Sequence, residues 1–108
     1  MCGIVGFINC GNSDSLYRST KIINHRGPDA LNTKWFKNHN SGLGHARLSI
    51  IDISDVANQP MHNIENNTYI VFNGEIYNYM EIRKDLIKLG CRFSSNSDTE
   101  VILKAYHK

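Results

Sequence analysis

The sequence has 108 residues, which is enough for one modest domain with a hydrophobic core. Its content of 41% hydrophobic and 20% charged residues is that of a globular protein without low-complexity segments. The formal net charge of +2, carried by scattered Lys and Arg residues, is too small to indicate binding to nucleic acid or to an anionic membrane.

The cysteines and the first residues indicate the compartment. Cys2, Cys10 and Cys91 form no C-x-x-C pair, which argues against a disulfide framework and against a structural zinc site. The apolar run after Met1 has no basic segment before it and is interrupted at Asn9, so it is not a signal peptide. No stretch is long and apolar enough to predict a membrane span. We therefore expect a protein of the reducing cytoplasm.

The first elements are predicted from a short apolar run and from capping residues. Residues 3–8 predict a buried strand. A helix is predicted over residues 15–23, with Ser13 or Asp14 as its N-cap. The HRGPD turn at residues 25–29 is predicted to end it.

The middle of the chain predicts extended structure around one long loop. Residues 35–36 indicate a strand, and the glycine-spaced stretch over residues 42–52 is predicted to be extended. Residues 54–67 are rich in Asn and predict a long loop. The apolar run at residues 69–72 predicts a core strand, which stops at the Asn-Gly turn pair at residues 73–74.

Two helices are predicted at the end of the sequence. The first covers residues 79–89 and is stopped by Gly90, and the second starts near Asp98 and continues to Lys108. Each helix has a pair of residues in capping-box register at its start. The pair is Asn78 and Glu81 for the first helix and Ser97 and Glu100 for the second. Because no stop signal closes the last helix, we expect the chain to be part of a longer protein.

Cys2 has chemistry that an internal cysteine lacks. Removal of Met1 is expected because the next side chain is small, and Cys2 would then carry a free α-amine beside its thiol. An α-amine is much less basic than a lysine ammonium, so part of it is an unprotonated base near neutral pH. One residue would therefore supply both nucleophile and base, without a histidine partner. Taken alone, however, Cys2 is better interpreted as a plain mobile thiol.

The motifs along the chain favour the catalytic interpretation. In order, they are MCGIVGF, HRGPD, GHARLSIID, QPM, FNGEIYNY and SDTEVIL. Together they resemble the class II, N-terminal-nucleophile glutamine amidotransferase domain of glutamine-hydrolysing asparagine synthetases, over residues 1–106. The opening motif alone also fits other class II amidotransferases, and HRGPD with FNGEIYNY narrows the resemblance to the asparagine synthetase branch.

The resemblance implies a reaction and its catalytic residues. Cys2 attacks the side-chain amide of glutamine, ammonia leaves, and water hydrolyses the thioester. The side-chain amide of Asn73 and the backbone N–H of Gly74 donate to the oxyanion intermediates. In isolation, Asn73-Gly74 would be interpreted as a hairpin turn.

The resemblance also implies how glutamine is held. Arg47 binds its α-carboxylate, and Glu75 and Asp98 accept from its α-ammonium. The backbone of four residues lines the pocket: Leu48, Ser49, Ile50 and Ile51. Two of these assignments have structural alternatives, since Arg47 is also compatible with a surface cation and Asp98 with a helix N-cap.

Other residues in the motifs suggest structural roles. Within HRGPD, His25 has no derivable chemistry, and an Arg26–Asp29 pair is expected to stabilise the turn. His45 is predicted to be a packed core histidine. Cys10 and Cys91 are predicted to be small buried hydrophobic residues.

The implied fold is α+β, the four-layer αββα sandwich of N-terminal-nucleophile hydrolases, of which residues 1–108 would form only the first part. A C-terminal synthetase domain that binds ATP and Mg²⁺ is expected as the partner of this domain. No cofactor is expected within residues 1–108, because they contain neither a Ser-Gly-Gly-x-Asp-Ser signature nor a P-loop. The chain alone is expected to be weakly active or inactive, as a truncated asparagine synthetase.

Three functions remain open from the sequence. The first is the glutaminase part of an asparagine synthetase, with glutamine as substrate and aspartate as acceptor. The second is an amidotransferase of the same branch for another acceptor, such as a sugar acid of a surface polysaccharide. The third is an inactive remnant or binding module. Homodimerisation of a full-length protein also stays open, and neither nucleic acid nor membrane is expected as a partner.

Overall fold

A computed structural model describes all residues from Met1 to Lys108 and shows an α+β chain with two antiparallel sheets and three α-helices. None of its helices has the length and apolar character needed to cross a membrane. The strands are β1 (Gly3–Phe7), β2 (Ala30–Phe36), β3 (Ser41–Arg47), β4 (Met61–Asn63) and β5 (Thr68–Ile70), and the helices are α1 (Ser13–Ile22), α2 (Tyr79–Lys88) and α3 (Asp98–Ala105). Short 3₁₀ turns lie at Asn24–Arg26, Lys37–His39, Asp55–Ala57 and Ile64–Asn66.

Helix α1 covers one face of a three-stranded sheet with the order β1-β3-β2. Two glycines of the central strand make this close packing possible. A Cβ at Gly42 would lie 2.6 Å from the side chain of Leu16, and one at Gly44 would overlap the hydroxyl of Thr20. Leu16 and Thr20 are both fully buried. The two glycines at alternate positions of β3 therefore let helix α1 pack closely on the sheet.

The opposite face of this sheet points toward the second half of the chain. Because successive side chains of a strand alternate between faces, His45 and Arg47 lie on the face away from Gly42 and Gly44. On that side, the rings of Phe36 and Tyr69 meet edge to face, with centroids 4.9 Å apart. Strand β3 thus carries its polar residues toward β5 and the segment that follows it.

Helix α1 confirms the predicted helix but not its start. It begins at Ser13, and its N-cap is Asn12 rather than Ser13 or Asp14. The Asn12 side chain accepts from the N–H of Ser15 (2.8 Å), and the Ser15 hydroxyl accepts from the N–H of Asn12 (2.9 Å). This reciprocal pair satisfies two backbone groups at once, which explains why Asn12 becomes the cap.

The region predicted as a long loop contains strand β4, which pairs with β5 in the register Met61↔Ile70. Strand β5 is shorter than predicted and only half-buried, so the prediction of a core strand over residues 69–72 is wrong in extent. It ends before Phe72 because both backbone groups of that residue bind side chains, those of Gln59 and His45.

Helix α2 stops at Gly90 as predicted, whereas the prediction of a capping box at its start is wrong. Gly90 has a φ of 89°, and the N–H of Cys91 bonds to the carbonyl of Leu86 at 2.9 Å. This is the Schellman arrangement that glycine permits after a helix. At the other end, the side chain of Asn78 makes no capping hydrogen bond.

Helix α3 confirms Ser97 as its N-cap, with the Ser97 hydroxyl accepting from the N–H of Thr99 at 3.1 Å. The predicted reciprocal role of Glu100 is wrong. Its buried carboxylate instead accepts from the backbone N–H groups of Ser94 (2.9 Å) and Ser95 (2.8 Å). The helix ends at Ala105, before the predicted Lys108.

The two cysteines outside the opening motif differ from their prediction. Cys10 is exposed and Cys91 is only half-buried, so neither is a core residue. Cys10 lies in the bend between β1 and α1, where the chain turns at Gly11 and no element covers it.

Gly44→Ala tests the packing of α1 on the sheet. The added methyl group would overlap the buried Thr20 hydroxyl, so we expect a loss of about 1–3 kcal/mol in the free energy of unfolding. Urea denaturation followed by circular dichroism measures it. Gly6→Ala in β1 is the matched control, because no atom lies within 4 Å of the position of its added methyl group. Equal midpoints for the two variants would contradict the packing argument.

Candidate active site

A cavity of about 290 Å³ lies where the N-terminus, the end of β3 and the start of α3 meet. It is lined by every predicted site residue except Ser49: Cys2, Arg47, Leu48, Ile50, Ile51, Asn73, Gly74, Glu75 and Asp98. It is also lined by residues that the sequence did not suggest, which include Met1, Asp52, Gln59, Phe72, Tyr77 and Thr99. The structure therefore brings residues from distant parts of the chain to one site.

Cys2 lies just before β1, and pairing of β1 with β3 places it beside the residues that follow β3. The N–H of Leu48 points at its sulfur, 3.3 Å away, and the carbonyl oxygen of Leu48 lies 3.5 Å away. The backbone of Cys2 is held as well, because Arg26 Nε donates to its carbonyl at 3.2 Å. Both the sulfur and the backbone of Cys2 are therefore held at the cavity.

Arg47 is the last residue of β3, and only 6% of it is exposed. The alternative of a surface cation is therefore wrong. Its Nη1 donates to the carbonyl of Ser54 (2.8 Å) and to Oδ1 of Asn58 (2.6 Å). These partners are neutral, and no carboxylate forms an ion pair with the guanidinium. The positive charge of Arg47 does help to lower the pKa of Asp52, which lies in the same cavity, so the guanidinium is buried without a direct ion pair but with an opposite charge nearby. A buried guanidinium without a direct ion pair suits a bound carboxylate.

Asp98 opens helix α3 and is 5% exposed. Its Oδ2 accepts from the N–H of Ile76 at 3.0 Å, which ties the helix to the segment after β5. Ser97 is the N-cap of α3, so the alternative of Asp98 as the cap is wrong. Glu75 is exposed at the rim of the same cavity. The cavity therefore has one cation and carboxylates on separate segments, as a zwitterionic amino acid requires.

Asn73 and Gly74 connect β5 to α2 rather than two strands, which excludes the hairpin-turn alternative. Both residues are exposed at the cavity. A Cβ at Gly74 would lie 2.8 Å from the ring of Phe72, so only glycine fits here without a shift of that ring. The side-chain amide of Asn73 and the N–H of Gly74 are thus neutral donors at the site.

Comparison with known proteins identifies the family. The profile of the glutamine amidotransferase domain matches residues 1–108. This chain belongs to that family.

Several curated relatives are similar over nearly all of this amidotransferase chain. It is 39% identical to a putative glutamine-hydrolysing asparagine synthetase 2 of Methanocaldococcus jannaschii, covering 100% of the chain and 24% of the relative. It is 39% identical to asparagine synthetase 1 of Bacillus subtilis, covering 98% of the chain and 17% of the relative. It is 41% identical to amidase chry2 of Gibberella zeae, covering 98% of the chain and 18% of the relative. The chain thus spans about a fifth of the length of these relatives.

The HRGPD turn of this amidotransferase domain differs from its prediction. Arg26 and Asp29 do not pair with each other, because each contacts a different site segment. Arg26 holds the backbone of Cys2, and Asp29 Oδ2 accepts from the N–H of Ser49 at 2.8 Å. This bond explains why Ser49 does not line the cavity and is instead an anchor of the segment after β3. Neither contact has a local sequence signal, because their partners lie 20 or more positions away in the chain.

Asp52 is a site residue that the sequence reasoning missed. The Ser54 hydroxyl, the N–H of Asn96 and the N–H of Ser54 all donate to its carboxylate and lower the pKa of Asp52 below its usual value. The bond to Asn96 joins the loop after β3 to the loop before α3. The Asp-x-Ser spacing is a local turn signal for the Ser54 contacts, but nothing local indicates Asn96.

His45 is fully buried on β3, which confirms its prediction as a core residue. Its Nε2–H donates to the carbonyl of Phe72 at 3.3 Å, and its Nδ1 has no partner within the protein. Burial lowers the pKa of His45 most strongly, the positive charge of Arg47 lowers it further, and the bond to Phe72 acts in the opposite direction. His45 is therefore a neutral structural residue. No group of three or more His, Cys, Asp or Glu side chains is arranged to hold a metal ion.

His45→Gln tests this assignment through the pH dependence of stability. The unfolded chain protonates its histidines near pH 6.5, whereas the folded protein keeps His45 neutral, so the unfolded state binds the extra proton. The free energy of unfolding should therefore fall as pH drops below about 6.5, with a slope of at most about 1.4 kcal/mol per pH unit from this residue. Urea denaturation at several pH values should show a smaller slope for His45→Gln.

The matched control is His39→Gln, which replaces an exposed histidine. This variant should keep the slope of the unsubstituted protein. If the two variants lose the same amount of slope, His45 is not held neutral by burial.

Proposed function

We propose that this chain hydrolyses the side-chain amide of glutamine through a thioester at Cys2 and thereby supplies ammonia. The observation that carries the proposal is the buried, unpaired guanidinium of Arg47 in the same cavity as Cys2 and Asp98. A guanidinium suits the α-carboxylate of an amino acid, and Asp98 and Glu75 suit its α-ammonium. The same cavity is also lined by Leu48, Ile50 and Ile51.

The mechanism starts with removal of Met1, which lines the cavity and blocks the amine. The free α-amine of Cys2 takes the thiol proton, and the sulfur attacks the amide carbon of glutamine. Asn73 and Gly74 donate to the oxyanion. The protonated amine gives its proton to the leaving nitrogen, ammonia departs, and a γ-glutamyl thioester remains. The amine then takes a proton from water, whose oxygen attacks the thioester and releases glutamate and the thiol.

We further infer that the ammonia is used to convert aspartate to asparagine, with ATP and Mg²⁺ bound by a C-terminal synthetase domain. The names of the relatives from M. jannaschii and B. subtilis support this acceptor. The cavity has a single arginine and no lysine among its lining residues. That set of residues suits an amino acid and does not fit a nucleoside triphosphate, so no ATP-dependent step is assigned to residues 1–108.

The complete domain is inferred to be the four-layer αββα sandwich, of which these residues supply the first part. Helix α1 and the β1-β3-β2 sheet would be one helical layer and one sheet layer of it. All three cysteines are free, which is compatible with the reducing cytoplasm as its location.

The second candidate function has an acceptor other than aspartate, and two relatives carry names that do not mention asparagine. Amidase chry2 of G. zeae is 41% identical and amidase chyE of Penicillium rubens is 39% identical. An assay of the intact protein with glutamine, ATP and aspartate separates the candidates. Aspartate-dependent formation of asparagine supports the synthetase function. Glutamate release that aspartate does not alter, without asparagine, supports an acceptor of another class.

Cys2→Ala tests the nucleophile in the intact protein. Because the sulfur forms the thioester, we expect glutamate release to fall by more than about 10⁴-fold. A glutamine analogue with an electrophilic ketone should add its mass to Cys2 alone, and only after Met1 is lost. Cys10→Ala is the control, since Cys10 is exposed and does not line the cavity, and it should keep full activity. Glutamate release that survives in Cys2→Ala would refute the mechanism.

Arg47→Lys tests the carboxylate site. Lysine keeps the charge but loses the planar fork, so we expect KM for glutamine to rise about 10–100-fold with a much smaller change in kcat. Steady-state glutamate release measures both constants. Arg18→Lys changes an exposed arginine of α1 and should leave both constants as they are. An unchanged KM in Arg47→Lys would rule out the proposed contact.

A further inference from the structure

Gln59 joins two walls of the cavity, although nothing in the proposed reaction uses it. Only 6% of the residue is exposed. Its amide oxygen accepts from the N–H of Phe72 at 2.5 Å, and its amide nitrogen donates to the hydroxyl of Thr99 at 3.1 Å. Phe72 immediately precedes Asn73, and Thr99 immediately follows Asp98. One buried side chain therefore links the oxyanion-donor segment to the start of α3.

The backbone of Phe72 is held from two sides. Its N–H donates to Gln59, and its carbonyl accepts from Nε2 of His45 at 3.3 Å. The carbonyl belongs to the peptide unit that also contains the nitrogen of Asn73. The N–H of Phe72 belongs to the preceding peptide unit, so the two bonds together fix the peptide planes on both sides of Phe72, the second of which leads into Asn73.

Neither donor makes a hydrogen bond of its own that would hold it in place. Asn73 and Gly74 are exposed, and neither makes a hydrogen bond within the protein. Donors stabilise an oxyanion only when they already point to the place where charge develops. Because strand pairing ends at Ile70, the segment is held on one side by the side chains that bind Phe72 and on the other by Asp98, which accepts from the N–H of Ile76.

We propose that Gln59 is a positioning residue that aims the Asn73 and Gly74 donors through the backbone of Phe72, and that Thr99 holds Gln59 in place for this role. The inference rests on the proposed glutamine hydrolysis and deepens it. Gln59 acts on the transition state rather than on the bound substrate, since it contacts the backbone of the donor segment and not the groups assigned to glutamine's charges.

Gln59→Leu removes both hydrogen bonds while keeping a side chain of similar size. We expect kcat for glutamate release to fall about 10–100-fold with KM within about twofold, because small displacements of oriented groups act on the transition state. Alkylation of Cys2 by iodoacetamide does not need the oxyanion donors, so its rate should stay within about twofold. A lower kcat together with an unchanged rate of Cys2 alkylation indicates misplaced oxyanion donors, whereas a slower alkylation would indicate damage to Cys2 itself.

Variants at Thr99 keep the test decisive if Gln59→Leu does not fold. Thr99→Val removes the hydroxyl at nearly constant shape and should lower kcat less than Gln59→Leu does, because the acceptor for Phe72 remains. Thr99→Ser restores a hydroxyl and should regain most of the kcat that Thr99→Val loses. A kcat within about twofold of that of the unsubstituted protein in Gln59→Leu, or in Thr99→Val if Gln59→Leu does not fold, would overturn the inference.

Failure of the proposed hydrolysis gives a different result, namely no glutamate release by the unsubstituted protein. In that case amide hydrogen exchange decides the structural part of the inference. Exchange at the Phe72 amide should accelerate at least about tenfold in Gln59→Leu, with the amides of α1 as the internal reference. An unchanged rate at Phe72 would show that Gln59 does not hold this segment.

Discussion

The buried charge of Arg47 constrains the arrangement of the whole site. A guanidinium that is removed from water needs hydrogen-bond partners and, for full compensation, an opposite charge. The protein supplies neutral oxygens from Ser54 and Asn58 as direct partners, and the carboxylate of Asp52 interacts with the guanidinium without forming an ion pair. The loop after β3 therefore has to fold back over the guanidinium, and this folding forms one wall of the cavity.

The central sheet explains how this charge becomes buried. Gly42 and Gly44 let helix α1 approach one face of β3 closely, and the alternation of the strand sends His45 and Arg47 to the opposite face. Pairing of β1 with β3 brings Cys2 to the same end of the sheet as Arg47. Cys2 and Arg47 thus lie close together because two antiparallel strands end side by side.

The rest of the cavity, beyond this end of the sheet, is built from loops. Hydrogen bonds between side chains and backbone groups hold these loops together. Loop backbones lack the partners that helices and strands supply, and such groups need other partners when they are buried. Here polar side chains from remote segments supply them. The bonds are Arg26 to the carbonyl of Cys2, Asp29 to the N–H of Ser49, Asp52 to the N–H of Asn96, Gln59 to the N–H of Phe72, and Asp98 to the N–H of Ile76. Arg26 and Asp29 of the HRGPD motif and Gln59 of the QPM motif act in this way.

The sequence by itself determined the order of the elements other than β4, the stop of α2 at Gly90, the cap of α3 at Ser97 and the family to which the chain belongs. These features depend on residues that are close together in the chain, or on motifs whose order is visible without a structure. It also predicted the site residues, although only through the resemblance. Only the tertiary structure decided that Arg47 is buried without a direct ion pair, that β5 ends early, and that Asp29, Asp52 and Gln59 each hold a distant backbone group. The physical reason is that burial and long-range hydrogen bonds depend on which segments meet in space, and neither residue spacing nor propensity contains that information.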